Sequence, residues 1–442
     1  MYVAWHARHE NALPFWPDER ILAVQRGRLR AMVRHAYHQT SFYRSAMDRL
    51  GIRPADIRSA EDLARLPIVS KDDFAASPEA FRARNFPDAR CLRIDSSGTA
   101  GRSKPLHHDA GSLFLSLAHG QRQRAVLRSF TGRLSHYREM IVARPGGVHR
   151  QMRNFYEGHC WVPRMLELER RDLPVSGITL AEQVAIVNDF RPHVLRGYGS
   201  LLGAFFRQVA ARGWKLECPR AVVYGADTMP EAEREMIESH FGVPVLSNYQ
   251  AVEALHIGFQ CERRRGFHLF LDDLAVRVVD DEGRDVAPGA PGRLILSNLT
   301  NRATVLLNYA LGDIVRMDSA RCPCGRTLPL LAAVEGRADD MVILPSGEEM
   351  HSLVLLEGLR AVAGVVQVQV VQEEPDRFLI RAVPKPLADR FAAEAGLCEA
   401  LRRSVGGRAA VAVEWRDTIV AEPGGKPKAV ICRCRGPVST GR

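Results

Sequence analysis

Ser96-Ser97-Gly98-Thr99-Ala100-Gly101-Arg102-Ser103-Lys104-Pro105 is the stretch whose reading decides the fold. The extended run Cys91-Leu92-Arg93-Ile94 enters it, and a helical segment leaves it from Asp109 onward. Glycines let a backbone turn tightly and aim several N–H groups at one anion. Ser96, Ser97 and Thr99 add hydroxyl donors, and Lys104 adds a point charge that suits phosphate. The spacing is neither that of a Walker A loop nor G-x-G-x-x-G. On these residues alone the stretch is either a phosphate cradle or a solvated Ser/Gly turn.

Outward from the loop, apolar strands alternate with helices. Ser112–Leu127 has helical periodicity, Glu139–Ala143 reads as a buried strand, and residues 179–190 as a helix capped near Thr179. Val194–Ser200, Ala221–Asp227 and Val243–Leu246 are further strands, with helices over Leu201–Ala211 and Glu231–Phe241. That alternation predicts an α/β fold around a parallel sheet, whose ligands sit beyond the strands' carboxyl ends, where Gly225-Ala226-Asp227 falls. From residue 268 the pattern becomes short strands, Leu274–Val279, Leu294–Ser297 and Val305–Leu307, punctuated by Gly283, Pro288-Gly289 and Pro291-Gly292. This predicts a small antiparallel β portion. The last hundred residues read as a compact α+β unit: helices at Leu353–Ala363 and Leu387–Ser404, strands at Val365–Val371, Phe378–Ala382 and Val411–Trp415.

The chain has 442 residues, 46% hydrophobic and 25% charged, as in an ordinary globular protein of two or three domains. No apolar run reaches the length of a membrane span, and the first residues lack an apolar signal core, so a cytoplasmic protein is expected. Its net charge of +10 is scattered and lacks the aromatic-plus-basic pattern of RNA-binding folds, so anionic small ligands are expected, not nucleic acid or membrane. Nine cysteines, an odd number, argue against a disulfide framework.

The quoted stretch resembles the phosphate loop of the adenylate-forming (acyl-CoA synthetase) superfamily, [ST]-S-G-T-T-G-x-P-K, with Ala100 and Ser103 as departures. The run from Phe42-Tyr43-Arg44 through Leu66-Pro67 to Lys71 and Asp73 resembles the phenylacetate-CoA ligase branch. The other elements follow in order. Gly225-Ala226-Asp227 is similar to the G-[AG]-E/D element bordering adenine. Tyr249-Gln250-Ala251-Val252-Glu253 resembles Y-G-x-T-E, whose tyrosine stacks on adenine and whose glutamate holds Mg²⁺, although Gln250 and Val252 depart from it. Tyr309-Ala310-Leu311-Gly312-Asp313 resembles Y-x-x-G-D, which implies Asp313 on the ribose diol. Gly336-Arg337-Ala338-Asp339-Asp340 resembles G-R-x-D-D, which implies Arg337 on ribose or phosphate and a hinge at Asp339. Gly425-Lys426 resembles the C-terminal G-K element, whose lysine reaches the α-phosphate.

The resemblance implies an enzyme: an AMP-forming acid–thiol ligase. It would activate a carboxylic acid, aromatic or arylacetic, as acyl-adenylate with ATP·Mg²⁺ and pass it to the thiol of coenzyme A. Lys426 and Glu253 would be catalytic. Residues 1–337 would form the ATP- and acid-binding domain, and 338–442 a mobile lid domain carrying Lys426. Transfer to a carrier-protein phosphopantetheine or to an amine is a second reading, and a nucleotide-binding relative with little turnover a third. A homodimer is left open. The acid pocket is expected within residues 140–165 and 196–204, with Tyr198, Phe205 and Trp161 as apolar candidates and Arg144 or His149 toward a polar substituent. Separately, Cys261, His268, Cys322 and Cys324 offer three thiolates and an imidazole, a valid structural zinc set.

Overall fold

The computed structural model describes residues 2–96, 104–134, 136–142, 147–159, 169–337, 341–385, 387–407, 409–417, 419 and 429–434. Capping side chains set where its helices begin. Asp109 Oδ1 accepts the Ser112 amide at 3.0 Å and starts the helix Ala110–Thr131. Thr179 and Glu182 bond each other's amides ahead of Leu180–Phe190. Such caps satisfy amides that have no intrahelical partner. Gly132, at φ 70°, ends Ala110–Thr131 in the left-handed region that suits a residue without Cβ.

β1 (Cys91–Ser96) and β2 (Lys104–Asp109) form an antiparallel hairpin with Ser96 and Lys104 as Cα partners. The residues between them, 97–103, lie outside the described residues. β3 (Arg138–Val142), β4 (Glu169–Leu173), β5 (Val194–Tyr198), β6 (Ala221–Gly225) and β7 (Val245–Tyr249) pair in parallel. β8 (Gly258–Phe259), β9 (Phe267–Leu269), β10 (Leu274–Val279), β11 (Pro291–Asn298), β12 (Tyr309–Met317) and β13 (Leu330–Arg337) pair antiparallel. Among the described residues these make one eleven-stranded sheet, β10-β11-β12-β13-β9-β8-β7-β6-β5-β3-β4. The antiparallel portion therefore continues the parallel sheet through the short β8 and β9.

Both faces of the parallel half are covered, which is why its strands read as apolar runs. One face packs Val194, Val223 and Leu246 in the same core as Val126 and Leu127 of Ala110–Thr131. The other packs Met140, Leu195, Val222 and Val245 with Val187, Phe206 and Ile237 from the helices Leu180–Phe190, Gly199–Ala211 and Glu231–Phe241. Phe205 belongs to this second core.

The C-terminal part has a core of its own. β14 (Met341–Ile343) pairs β15 (Glu349–His351). β16 (Val365–Glu374), β17 (Arg377–Pro384), β18 (Ala410–Trp415) and β19 (Val430–Cys432) form a sheet in the order β18-β17-β16-β19. Leu355, Phe378, Ile380, Leu397 and Leu401 bury the helices Ser352–Arg360 and Arg390–Val405 against it.

The strand expected at Val305–Leu307 does not form. Its backbone groups are satisfied elsewhere: the Tyr43 hydroxyl donates to the Leu307 carbonyl at 2.9 Å and accepts the Leu307 amide at 2.7 Å, and the Val305 amide donates to Phe81 at 3.0 Å. The strand begins two residues later as β12 and carries Asp313.

A buried charge network ties this frame to the N-terminal helices. Arg122 donates to both oxygens of Asp272 at 2.8 Å and to Glu10 at 2.6 Å. Arg28 adds a bond to Asp272 at 3.1 Å and binds Asp273, whose other oxygen lies 2.7 Å from His119 Nε2. Burial pushes the Asp272 carboxyl up, but Arg122 and then Arg28 more than reverse this and hold it well below the usual carboxylate range. Its stabilising charge is complete above the unfolded value of about 3.9 and is lost as pH falls toward the lower folded value. Arg122→Met would leave Asp272 and Glu10 buried without their main partner. We expect a loss of about 3–5 kcal/mol, read from urea unfolding midpoints at neutral pH, and a smaller gap between variant and parent well below pH 4.

Candidate active site

The site lies where the sheet changes from parallel to antiparallel. Tyr249 ends β7, and its hydroxyl donates to the Asp313 carboxylate on β12. Across the next ladder Asp313 and Arg337 are Cα partners. Three of the motif elements, far apart in sequence, are thereby adjacent.

The connection 250–257 is pinned on both sides. The Ile257 amide returns to the Tyr249 carbonyl at 3.0 Å, and Asn298 Nδ2 donates to the Glu253 carbonyl at 2.9 Å. His256 Nε2 lies 3.2 Å from the Ser116 carbonyl, so this nitrogen carries the proton and Nδ1 accepts from Gln250 Nε2 at 3.4 Å. Burial pushes His256 down to about 4, which keeps that neutral tautomer at pH 7. The departure Gln250 thus anchors the loop to the helix Ala110–Thr131. Glu253 is half-buried beside these anchors.

The hairpin is fixed to the same region. The Arg302 amide donates to Asp109 Oδ2 at 2.8 Å, Asn301 Nδ2 to the His107 carbonyl at 3.0 Å, and the His107 amide to Thr304 Oγ1 at 3.0 Å. His108 is fully buried and pushed by burial down to about 4, so it is neutral at pH 7. Asp109, Asn298 and Asn301 had no motif to mark them, since their partners lie far away in sequence.

Asp227 does more than border a strand end. Its carboxylate accepts the Gly199 amide, the Ser200 amide at 3.4 Å and the Ser200 hydroxyl, and so caps the helix Gly199–Ala211 from outside. Ala226 takes φ 68°, which turns the chain between Gly225 and this cap. Ser97, Gly98, Thr99, Gly101 and Lys426 lie outside the described residues, as do Arg144 and Trp161; Ser96, Lys104 and Arg337 enter through strand register alone.

The thiol set comes together. One donor atom from each of Cys261, His268, Cys322 and Cys324 falls in a group spanning no more than 4.8 Å. Cys261 Sγ and Cys322 Sγ are 3.7 Å apart, and Cys324 Sγ and His268 Nε2 3.4 Å. Tetrahedral zinc with Zn–S near 2.3 Å and Zn–N near 2.0–2.1 Å requires edges of about 3.8 and 3.5 Å. Burial pushes the Cys261 thiol up to about 12 and His268 down to about 4, so the imidazole is neutral, its ligand form. At Cys324 burial is outweighed by the Arg326 amide and guanidinium, which hold the thiol below its ordinary value.

A mixed sheet of this order with a small C-terminal sheet is the architecture of the acyl-CoA ligases among adenylate-forming enzymes. A solved 2-hydroxyisobutyryl-CoA ligase in its postadenylation state superposes with a TM-score of 0.75 at 19% identity, covering 96% of this chain and 91% of that one. No family model matches the chain. A phenylacetate-coenzyme A ligase of Thermus thermophilus is 30% identical over 344 residues, 76% of this chain and 74% of the relative. That of Escherichia coli is 26% identical over 338 residues, 74% of this chain and 73% of the relative. The chain belongs to the phenylacetate-CoA ligase family, AMP-forming acid–thiol ligases of the adenylate-forming superfamily. Among the described residues no helix is long and apolar enough to cross a membrane.

Removing the external cap separates its structural part from any nucleotide contact. Asp227→Ala should lower stability by roughly 1–2 kcal/mol in the absence of any ligand, measured by denaturant unfolding, because Gly199 and Ser200 lose their acceptor.

Proposed function

We propose that this protein activates a carboxylic acid, aromatic or arylacetic, as its acyl-adenylate with ATP and transfers the acyl group to the thiol of coenzyme A. The observation that carries the reading is the bond between Tyr249 on β7 and Asp313 on β12, whose Cα partner on the neighbouring β13 is Arg337. In the assigned roles, Tyr249 stacks on adenine beside Gly225-Ala226-Asp227 and Asp313 holds the ribose diol. Arg337 meets ribose or phosphate, and the loop from Ser96 to Lys104, with Ser97, Gly98, Thr99 and Gly101, cradles the phosphates. A half-buried carboxylate fits a hard cation that takes its other ligands from phosphate and water, so Glu253 is assigned to Mg²⁺. The metal supplies charge to the triphosphate when bound. Little covalent work then falls to side chains, and positioning and charge stabilisation dominate.

Lys426 is assigned to the charge developing at the α-phosphate. The part from residue 338 onward is assigned as a lid turning at Asp339, removing Lys426 after adenylation and admitting the thiol. A separate C-terminal core supports a unit able to turn as one body. Pyrophosphate release that depends on both ATP and an acid, with acyl-CoA identified by mass spectrometry, tests the reaction. Release of pyrophosphate with transfer only to holo-carrier protein or an amine would replace the acceptor and keep the first half-reaction. Lys426→Ala should slow adenylation by 10²-fold or more, on the order expected for loss of one charge-stabilising group, while thiolysis of supplied acyl-adenylate stays near parental. Equal losses in both half-reactions would remove the assignment.

Cys261, His268, Cys322 and Cys324 are assigned to a structural zinc ion that clamps the start of the segment after β8, β9 and the β12–β13 connection. All four positions are taken by protein donors, the arrangement of a structural and not a catalytic site. Metal analysis of purified protein should find close to one zinc per chain, and Cys322→Ser should lower both zinc content and thermal stability. Zinc-free protein that keeps the parental melting temperature is the contrary outcome.

A further inference from the structure

On the sheet face that packs against Ala110–Thr131, the positions Val194, Val223 and Leu246 are buried and apolar. Beside them runs a row of a different kind. Gln123, from the helix, donates through Nε2 to Asn248 Oδ1 on β7 at 2.5 Å and accepts at Oε1 from Arg196 Nη1 on β5 at 2.6 Å. Arg196 Nε donates to Glu139 Oε1 on β3 at 2.9 Å, and Arg170 Nε on β4 donates to Glu139 Oε2 at 2.7 Å. The Glu139 side chain is 2% exposed, whereas those of Arg196 and Arg170 are 22% and 24% exposed. The carboxylate is sunk in the floor, and the two arginine side chains are partly exposed.

The row is not closed off from solvent: Gln123, Arg196, Tyr198, Gly225 and Asn248 are all half-buried. Tyr198, Gly225 and Asn248 are successive Cα partners on β5, β6 and β7, and the middle one has no side chain. A Cβ at 225 would come within 3.1 Å of Gln250 Oε1 and 3.2 Å of the Asn248 carbonyl, so the space directly over Gly225 is taken by these two residues and only glycine fits beneath them. Asn248 is one residue from Tyr249, where the nucleotide is assigned. Arg196 on β5 lies two strand spacings from Asn248's strand β7, about 10 Å across the sheet face.

Charge on the row does not cancel. Arg196 and Arg170 face one carboxylate, Glu139, while Gln123 and Asn248 are neutral. Arg124 stands near Tyr137 and adds positive charge. A guanidinium has five N–H groups, and among the described residues Arg196 uses two.

We infer that the acid this enzyme activates is a polar one, carrying at the end remote from its reacting carboxylate an oxygen acceptor, a hydroxyl or a second carboxylate, that meets Arg196. This rests on the adenylation reading and deepens it. An unsubstituted ring would displace water from these N–H groups and return no acceptor, whereas an oxygen would gain a charge-assisted bond. A site built to hydrogen-bond a substrate group rejects the analogue lacking it more strongly than an apolar pocket rejects a missing methylene. Arg196 is the specificity contact, and Gln123 a positioning residue that braces it. The contact is far from the reacting centre and alike in ground and transition states, so it acts through KM.

The test measures acid-dependent pyrophosphate release by the full chain for two matched sets: phenylacetate against 4-hydroxy- and 4-carboxyphenylacetate, and hexanoate against adipate. We expect an oxygen-bearing member to exceed its unsubstituted partner about tenfold or more in kcat/KM, chiefly through KM. Arg196→Met should abolish the preference. Gln123→Leu, which leaves both Glu139 ion pairs in place, should narrow it and decides the matter if the first variant does not fold. Phenylacetate and hexanoate used as well as their oxygenated partners, or a preference unchanged in Gln123→Leu, overturns the inference and leaves adenylation standing. No pyrophosphate with any acid overturns the adenylation reading and this inference with it.

Discussion

A guanidinium with no exposure to solvent fixes the helix on which the site is built. Arg122 stands midway along Ala110–Thr131 and is held by Asp272, after β9, and by Glu10, in the first helix. Burying such charges is costly, and an apolar replacement of the whole set could be equally stable. What the ionic set supplies is registry: bidentate pairing permits one rotation and one height of the helix against the sheet. That same helix presents Ser116 to His256, Gln123 to Arg196 and Asn248, and Ser112 to the Asp109 cap of the hairpin. A slip of the helix would misplace the β1–β2 hairpin and the row from Gln123 to Glu139 together.

The second constraint is the turn of direction in the sheet. β7 is the last parallel strand and β8 pairs with it antiparallel. Parallel strands put their carboxyl ends on one edge, so Tyr198, Gly225 and Tyr249 arrive there as a group. The antiparallel strands need no such alignment, and β12 can present Asp313 from its middle, across from Arg337 on β13. Joining the two halves into one hydrogen-bonded sheet turns two independent placements into one rigid arrangement. The thiol set fits this scheme, since Cys261 and His268 belong to the short bridging segment and Cys322 and Cys324 to the connection that returns to it.

How much of this the chain displayed in advance depends on the range of each interaction. Leu180–Phe190 and Glu231–Phe241 were legible because cap, periodicity and terminus lie within a dozen residues. The four donors of the thiol–imidazole set could be named from the sequence, although only the fold gives their spacing. Val305–Leu307 misled because an apolar run states burial, not strand pairing, and its backbone partner is a tyrosine hydroxyl 264 residues away. Asp313 was legible through its motif while β12 was not, since Gly312 and Asp313 resemble a turn. The polar row was hidden for the same reason of distance: Arg196 and Glu139 sit singly within apolar strands, 57 residues apart, and Gln123 is 73 residues from Arg196.

The site as it stands is internally satisfied, and that bears on how a ligand is gained. Tyr249 bonds Asp313, Asp227 bonds the start of a helix, and Gln250 bonds His256. Each bond holds a side chain in place without nucleotide, which lowers the ordering cost of binding. Each also sets a limit, because a group already paired returns only the difference between two bonds. A carboxylate escapes part of that limit, having two oxygens and about four acceptor positions. Asp313 holds the Tyr249 hydroxyl on one oxygen, and the tyrosine ring, held by its own hydroxyl, stays at the angle Asp313 dictates. Asp227 has less to spare, with both oxygens engaged on Gly199 and Ser200. The backbone of Gly225 and Ala226 is therefore the better candidate to border an adenine ring, and the carboxylate beside it serves to hold that backbone still.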